Sequence, residues 1–349
     1  MQLHRRDLLI PSLLLLSIMV LSACAEENPS PDEKWEQSAH ADAEAAAFTN
    51  WDHRDPAEIP QACAKCHSTH GYRDFLGDNG SEPGRVVQPA AVGTTIECEA
   101  CHNDTAEAKT AALMPSEKLI EGLGQESNCM ECHQGRSSGV QVQNVIEGME
   151  LDTVVPEVVF INIHNQAAGP TQYGTQAIGG YEYADRTYAE RYDHTPEFTT
   201  YIECHDAHAL SIRVESCGAC HAGVKTAADL SNIRVTGTDY DLDGDVNEGI
   251  AAEIESLLGL LLRRMNLYAL GTEGVDQLQY EDGSPYFFDQ TGEQYRTWTP
   301  RLLRAAFNYH YVAMETGGYA HHSRYHLQLL FDSLEDMGSD TRLLTRPEN

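Results

Sequence analysis

The chain is short of positive charge. It carries 23 lysine and arginine residues against 54 aspartate and glutamate residues, a formal net charge of −31. Such a surface repels nucleic acid and anionic lipid headgroups. It suits basic or metal-bearing partners, or simply a solvated acidic shell. Long apolar runs are also lacking: after the first 23 residues none is long enough to span a bilayer. Between residues 51 and 225 the chain is rich in Gly, Pro, Thr and Asn and poor in periodic apolar runs. By packing alone, that segment has too few apolar side chains for an ordinary core. No βαβ pattern is visible, which removes a thioredoxin-like reading of any C-x-x-C pair.

What the chain does have is one pentapeptide four times over. Cys63-Ala-Lys-Cys66-His67, Cys98-Glu-Ala-Cys101-His102, Cys129-Met-Glu-Cys132-His133 and Cys217-Gly-Ala-Cys220-His221 use eight of the ten cysteines. C-x-x-C-H is the attachment pattern of c-type haem. Each sulfur adds to a haem vinyl group, and the adjacent histidine offers a nitrogen to the iron from one face. Structural zinc needs two C-x-x-C pairs converging on one metal and no histidine after each. The pattern therefore predicts four covalent haems c, with porphyrin supplying the apolar interior that residues 51–225 lack. Short helices are expected at each motif, with little sheet.

The N-terminus agrees with this chemistry. His4-Arg5-Arg6, a leucine-rich run from Leu8 to Val20, and Leu21-Ser22-Ala23-Cys24 read as a signal peptide. The ending looks like a bacterial lipobox, which implies cleavage before Cys24 and lipid on its sulfur and new amino group. Two or three acyl chains anchor stably, at about 0.8 kcal/mol per buried methylene. The Arg5-Arg6 pair hints at twin-arginine export, but haem is joined to unfolded chain outside the cytoplasm, so export of a folded protein would come too early. The expected organisation is a leader at 1–23, an acidic flexible tether at 24–50, a multihaem segment at 51–225 and a helical region at 226–349. The fold class expected is mainly α with extensive irregular loops.

Each iron needs a sixth ligand. The chain has 16 histidines, enough for imidazole on both faces of every haem, an arrangement that suits electron transfer and leaves no open position. Among the eight methionines none stands out as a ligand. His164, after a short apolar run, and His194, before a proline turn, are candidates. His40, His53 and His70 show no clear pattern. Tyr201-Ile-Glu-Cys204-His205-Asp206-Ala207-His208 has the haem frame with tyrosine for the first cysteine. Two readings are open: a fifth haem held through one thioether at Cys204 with His205 as axial ligand, or a lost haem and a free thiol. A modified catalytic haem is a third.

In the C-terminal part, Asp239, Asp241, Asp243 and Asp245 alternate, with glycine at the sixth position of the run. This is the opening of an EF-hand-type calcium loop. Its twelfth position is Ile250, so Glu248 would have to close a shortened loop; calcium is the expectation, and an acidic turn capping the next helix is the alternative. Apolar periodicity predicts helices over about 247–270, 300–314 and 324–337, with Thr299 as an N-cap and Gly317 to His322 in a connecting loop. A ligand offered from that loop would dock the helical part onto the haem part.

With these residues in view, the chain resembles bacterial outer-membrane or extracellular multihaem c-type cytochrome lipoproteins, from about residue 50 onward. The resemblance lies in the four motifs, Asn162-Ile163-His164, Glu203-Cys204-His205-Asp206-x-His208, the acidic loop, Trp298-Thr-Pro-Arg-Leu-Leu-Arg and Tyr319-Ala-His321. Similar members look like five-haem proteins with a complete motif where Tyr201 stands. The resemblance implies His164, His194, His208 and His321 as distal ligands, without assigning each to an iron. It implies a membrane-tethered carrier facing periplasm or exterior, passing single electrons to redox partner proteins or an extracellular acceptor. The rivals are a reductase of nitrite, hydroxylamine, tetrathionate or a metal, and a subunit of a cytochrome filament, conduit or homo-oligomer. No C-x-x-C-K variant favours the reductase.

Overall fold

The computed structural model describes residues 28–164 and 167–349. The leader and Cys24 lie outside the described residues. The protein is moderately helical with many loops, and among the described residues the strands form three antiparallel ladders of two residues each: Glu58–Ile59 with Ala90–Ala91, Ala112–Leu113 with Leu119–Ile120, and Gln279–Tyr280 with Phe287–Phe288.

Three haem-type motifs carry both cysteines on a short helix, Gln61–His67, Cys98–Cys101 and Glu126–Cys132; in the fourth, Cys217 lies on the helix Val214–Gly218 and Cys220 on the turn that follows. The altered motif lies on the short helix Tyr201–Cys204. One helical turn puts residues i and i+3 on the same face. The two cysteines of each helical pair can then meet one edge of a flat group.

Three long helices carry the densest packing. Ile250–Gly271 buries Ile254, Leu257, Leu261, Met265 and Ala269, a stripe at helical spacing. Pro300–Met314 starts where Thr299 accepts a hydrogen bond from the Leu302 backbone N–H and Pro300 occupies the first turn. Gly318–Asp336 begins six residues earlier than the periodicity predicts, so Gly317 to His322 is a helix start and not a free loop. The early turn and the rest of the helix meet at a kink, His322, whose φ and ψ of −171° and 73° are not helical. Arg301 and Arg304 both bind the Asp336 carboxylate and tie two of these helices together.

The largest apolar core joins Val142, Phe160, Ile163 and Tyr181 to Leu261, Trp298, Leu303, Phe307 and Leu330. It therefore crosses the boundary expected at residue 225. By contrast, no residue of 190–229 is buried as a whole, although single side-chain atoms such as Tyr201 Oη are. The stretch expected as a flexible tether is folded from residue 31 on. It contains the helices Pro31–Glu36, capped by Ser30, and Ala46–Thr49. Its aromatics are the reason: Phe48 is buried, and Trp35 Nε1 donates to the Ile96 carbonyl at 3.2 Å.

Candidate haem-ligand sites

Every motif histidine faces a second imidazole from elsewhere in the chain. His67 faces His164, with ring centres 5.8 Å apart. His102 faces His208 at 6.2 Å, His133 faces His40 at 6.0 Å, and His221 faces His194 at 5.8 Å. The altered motif is no exception, because His205 faces His321 at 6.3 Å. Two imidazoles trans on one iron, with metal–nitrogen bonds of about 2 Å and about 1 Å from nitrogen to ring centre, stand about 6 Å apart between centres. In none of these pairs do two motif histidines meet. The remaining described histidines, His53, His70, His310, His322 and His326, belong to no such pair.

The surroundings keep several of these rings neutral, the form that can bind a metal. Burial, and then His133, push His40 down to about 4. Burial likewise lowers His67, His164, His194 and His205. Hydrogen bonds orient the rings. His67 Nδ1 is 2.7 Å from the Ala47 carbonyl, and His194 Nδ1 is 3.2 Å from the Tyr192 hydroxyl. His321 Nδ1 is 2.9 Å from Glu315 Oε1. Backbone also contributes: Asp206 accepts from the His208 N–H at 3.0 Å and is itself held by Lys34 at 2.8 Å. Lys34 and the Ala209 and His208 backbone N–H groups hold the Asp206 carboxyl far below its usual range.

The residues present fit haem and do not fit zinc. All nine cysteines of the described residues are free. Among the described residues, the groups of three or more ligating side chains that converge closely enough to hold a metal lie in the acidic loop. Around the pairs, His40 Nδ1, Tyr201 Oη and Glu315 Oε2 are buried with no hydrogen-bond partner. Burial pushes the Tyr201 phenol far up, so it stays protonated. An exposed-looking segment, residues 190–229, holds two of the five motifs, and porphyrin faces would cover it.

The attachment segments touch one another. The Cys66 thiol donates to the Glu131 carbonyl at 3.9 Å and the Cys132 thiol to the Lys65 carbonyl at 4.0 Å, beside a Lys65–Glu131 ion pair of 3.1 Å. Glu126, on the Cys129 helix, accepts from the Tyr201 N–H at 2.8 Å. The Cys204 carbonyl accepts from the Arg213 N–H, one residue before the Cys217 helix, at 2.8 Å. His205 and His208, three residues apart, belong to two different pairs.

His40 is the candidate ligand that sequence reasoning left aside. Its signal was Trp35, an aromatic in an otherwise polar segment, which packs edge-on against the His40 ring at 5.5 Å. In the acidic loop, Asp241, Asp243 and Glu248 converge, as do Asp239, Asp241 and Glu253. Asp245 is in neither group. Glu253 was not anticipated because it lies on the following helix, fully buried and paired with Arg234 at 2.5 Å.

Repeated thioether motifs, each backed by a second imidazole, are the ligand sets of the multihaem c-type cytochromes. Curated relatives that the chain matches are c-type polyheme cytochromes. The chain is 22% identical to the C-type polyheme cytochrome OmcC of Geobacter sulfurreducens, over 92% of this chain and 48% of that protein. It is 24% identical to the C-type polyheme cytochrome OmcB of the same organism, over 84% of this chain and 46% of that protein. The chain thus spans about half the length of the curated relatives it matches. No family model matches it, and no solved structure gives a significant match. This distant homology supports a multihaem cytochrome with covalently bound haem c and a role in electron transfer.

Proposed function

We propose that the protein is an exported, lipid-anchored electron carrier with five covalently held haems, working in the periplasm or at the cell exterior. The observation that carries this is the set of five imidazole pairs, each joining a motif histidine to a non-motif one. Haem bound there supplies one-electron chemistry at iron. The chain's own part is to hold two neutral imidazoles at each position, so that ligation changes little between oxidation states. It also keeps the attachment segments in contact, since electron tunnelling falls steeply with distance. Two imidazoles at every site favour a carrier over a reductase, which needs an open or weak sixth position. Each motif histidine finds its partner within the chain, so nothing calls for a ligand from a second copy.

In this reading Cys204 forms the one thioether of the fifth haem, Tyr201 replaces the first cysteine, and Cys24 carries the lipid. The signal sequence supports export. No helix among the described residues is long and apolar enough to cross a membrane, so attachment in this proposal rests on acyl chains. The acidic loop, with Asp239, Asp241, Asp243, Glu248 and Glu253, is proposed to take calcium, a hard cation suited to carboxylate oxygens.

Intact mass of the mature holoprotein tests the core of the proposal: five haems plus acyl chains are expected. Four haems, or an unmodified Cys24, would remove the corresponding part. His40→Ala and His164→Ala should each turn one low-spin haem high-spin without changing the haem count. An unchanged wholly low-spin spectrum would remove that ligand.

A further inference from the structure

The His205–His321 pair differs from the others in what stands behind its non-motif ring. His321 Nδ1 lies 2.9 Å from Glu315 Oε1, which leaves Nε2 as the nitrogen available for ligation. Glu315 is 6% exposed, and its other oxygen is buried with no hydrogen-bond partner. The Gly317 N–H also donates to Oε1, at 3.3 Å. The arrangement is built into the chain. A Cβ at Gly317 would stand 2.5 Å from His321 Cε1, so glycine lets the ring lie where it does. Other ligand rings meet weaker acceptors. His67 faces a carbonyl and His194 a hydroxyl. His102 Nδ1 is 3.7 Å from the Glu107 carboxylate, in an exposed pair beyond hydrogen-bond reach and screened by solvent.

Resting on the reading that Cys204 and His205 hold a haem, we propose that Glu315 is a positioning residue that lowers the potential of that site. The buried carboxylate draws the Nδ1 proton of His321 towards itself and makes Nε2 a stronger donor. A stronger axial donor, with a negative charge fixed nearby in a low-dielectric setting, favours ferric over ferrous iron. The Tyr201–Cys204 segment touches both the Cys129 helix and the residues leading into the Cys217 helix. Glu315 therefore governs how readily electrons pass between those two parts of the chain.

The test compares wild type with Glu315→Gln, which keeps size and acceptor but removes the charge. Intact mass gives the haem count, ferric EPR gives the ligand field, and spectroelectrochemistry gives the potentials. Five haems are expected in both proteins. In wild type, one low-spin signal should have the compressed g-spread of an imidazolate-like ligand. In the variant, that signal should move towards the others and one titration step should move to higher potential. Five haems with superposable EPR and titrations would overturn the role of Glu315 and leave the fifth haem standing. Four haems would overturn the site itself. If the variant fails to accumulate, the wild-type spectrum decides, and five neutral-imidazole signals would sink the proposal.

Discussion

Residues 190–229 and the three long helices near the C-terminus fill their interiors in opposite ways. The first stretch holds one complete and one altered haem-type motif and no residue buried as a whole. The helix Pro300–Met314 alone buries twelve residues, among them Leu302, Leu303, Phe307 and Tyr311. In the proposed reading, one region depends on a prosthetic group for its apolar interior; the other has its own. The same chain can therefore be stable in one part and dependent on maturation in another, because burial, and not secondary structure, sets local stability.

The sharpest way to break this comparison is to withhold haem. Hydrogen exchange on haem-free chain should find residues 190–229 unprotected while Ile250–Gly271 and Pro300–Met314 keep protected amides. Uniform exchange across both would end the contrast. Next in size is Leu303→Ala in the haem-independent core. It should cost about 2–5 kcal/mol in denaturant unfolding, with haem count and Soret band unchanged.

His310 offers a pH test of the same core. Its ring packs against Phe160 and Tyr280, and burial pushes its pKa down to about 4. The unfolded value is about 6.5. The unfolded chain then binds more protons between these values, so stability is present above pH 6.5 and is lost as pH falls towards 4. The loss is about 3 kcal/mol, and His310→Phe should flatten the acid limb of a stability–pH curve by about that much. An unaltered slope would show that another group governs it. The smallest expected effect belongs to the acidic loop. Calcium at a hundredfold excess over its Kd should stabilise by about 2.7 kcal/mol, seen as a modest rise in Tm that EDTA reverses and the double variant Asp241→Asn, Asp243→Asn abolishes. No response to calcium would return the loop to an acidic turn.

The proposed attachment positions rest on local chemistry: two cysteines and a histidine within five residues carry the whole signal. Helical stripes were legible for the same kind of reason, and the Pro300–Met314 helix with its Thr299 cap has the limits its periodicity predicts. The start of the last helix was not, because Gly317-Gly318 reads locally as a breaker. Here it serves close packing: a Cβ at Gly318 would lie 2.0 Å from the His326 ring. Residues 31–50 were misread from composition, since a few aromatics outweigh many acidic residues once they find a surface to pack on.

Sequence by itself determined the repeated C-x-x-C-H pattern, most of the helical stripes, and that the surface is acidic, all properties of neighbours along the chain. Which imidazole faces which was decided only in three dimensions. His40 meets His133 and His321 meets His205 across long stretches of chain, and no local pattern encodes a partner that distant. The same holds for Glu315, an unremarkable glutamate in the sequence, whose burial against His321 comes from a helix end, a pair of glycines and the core beneath them.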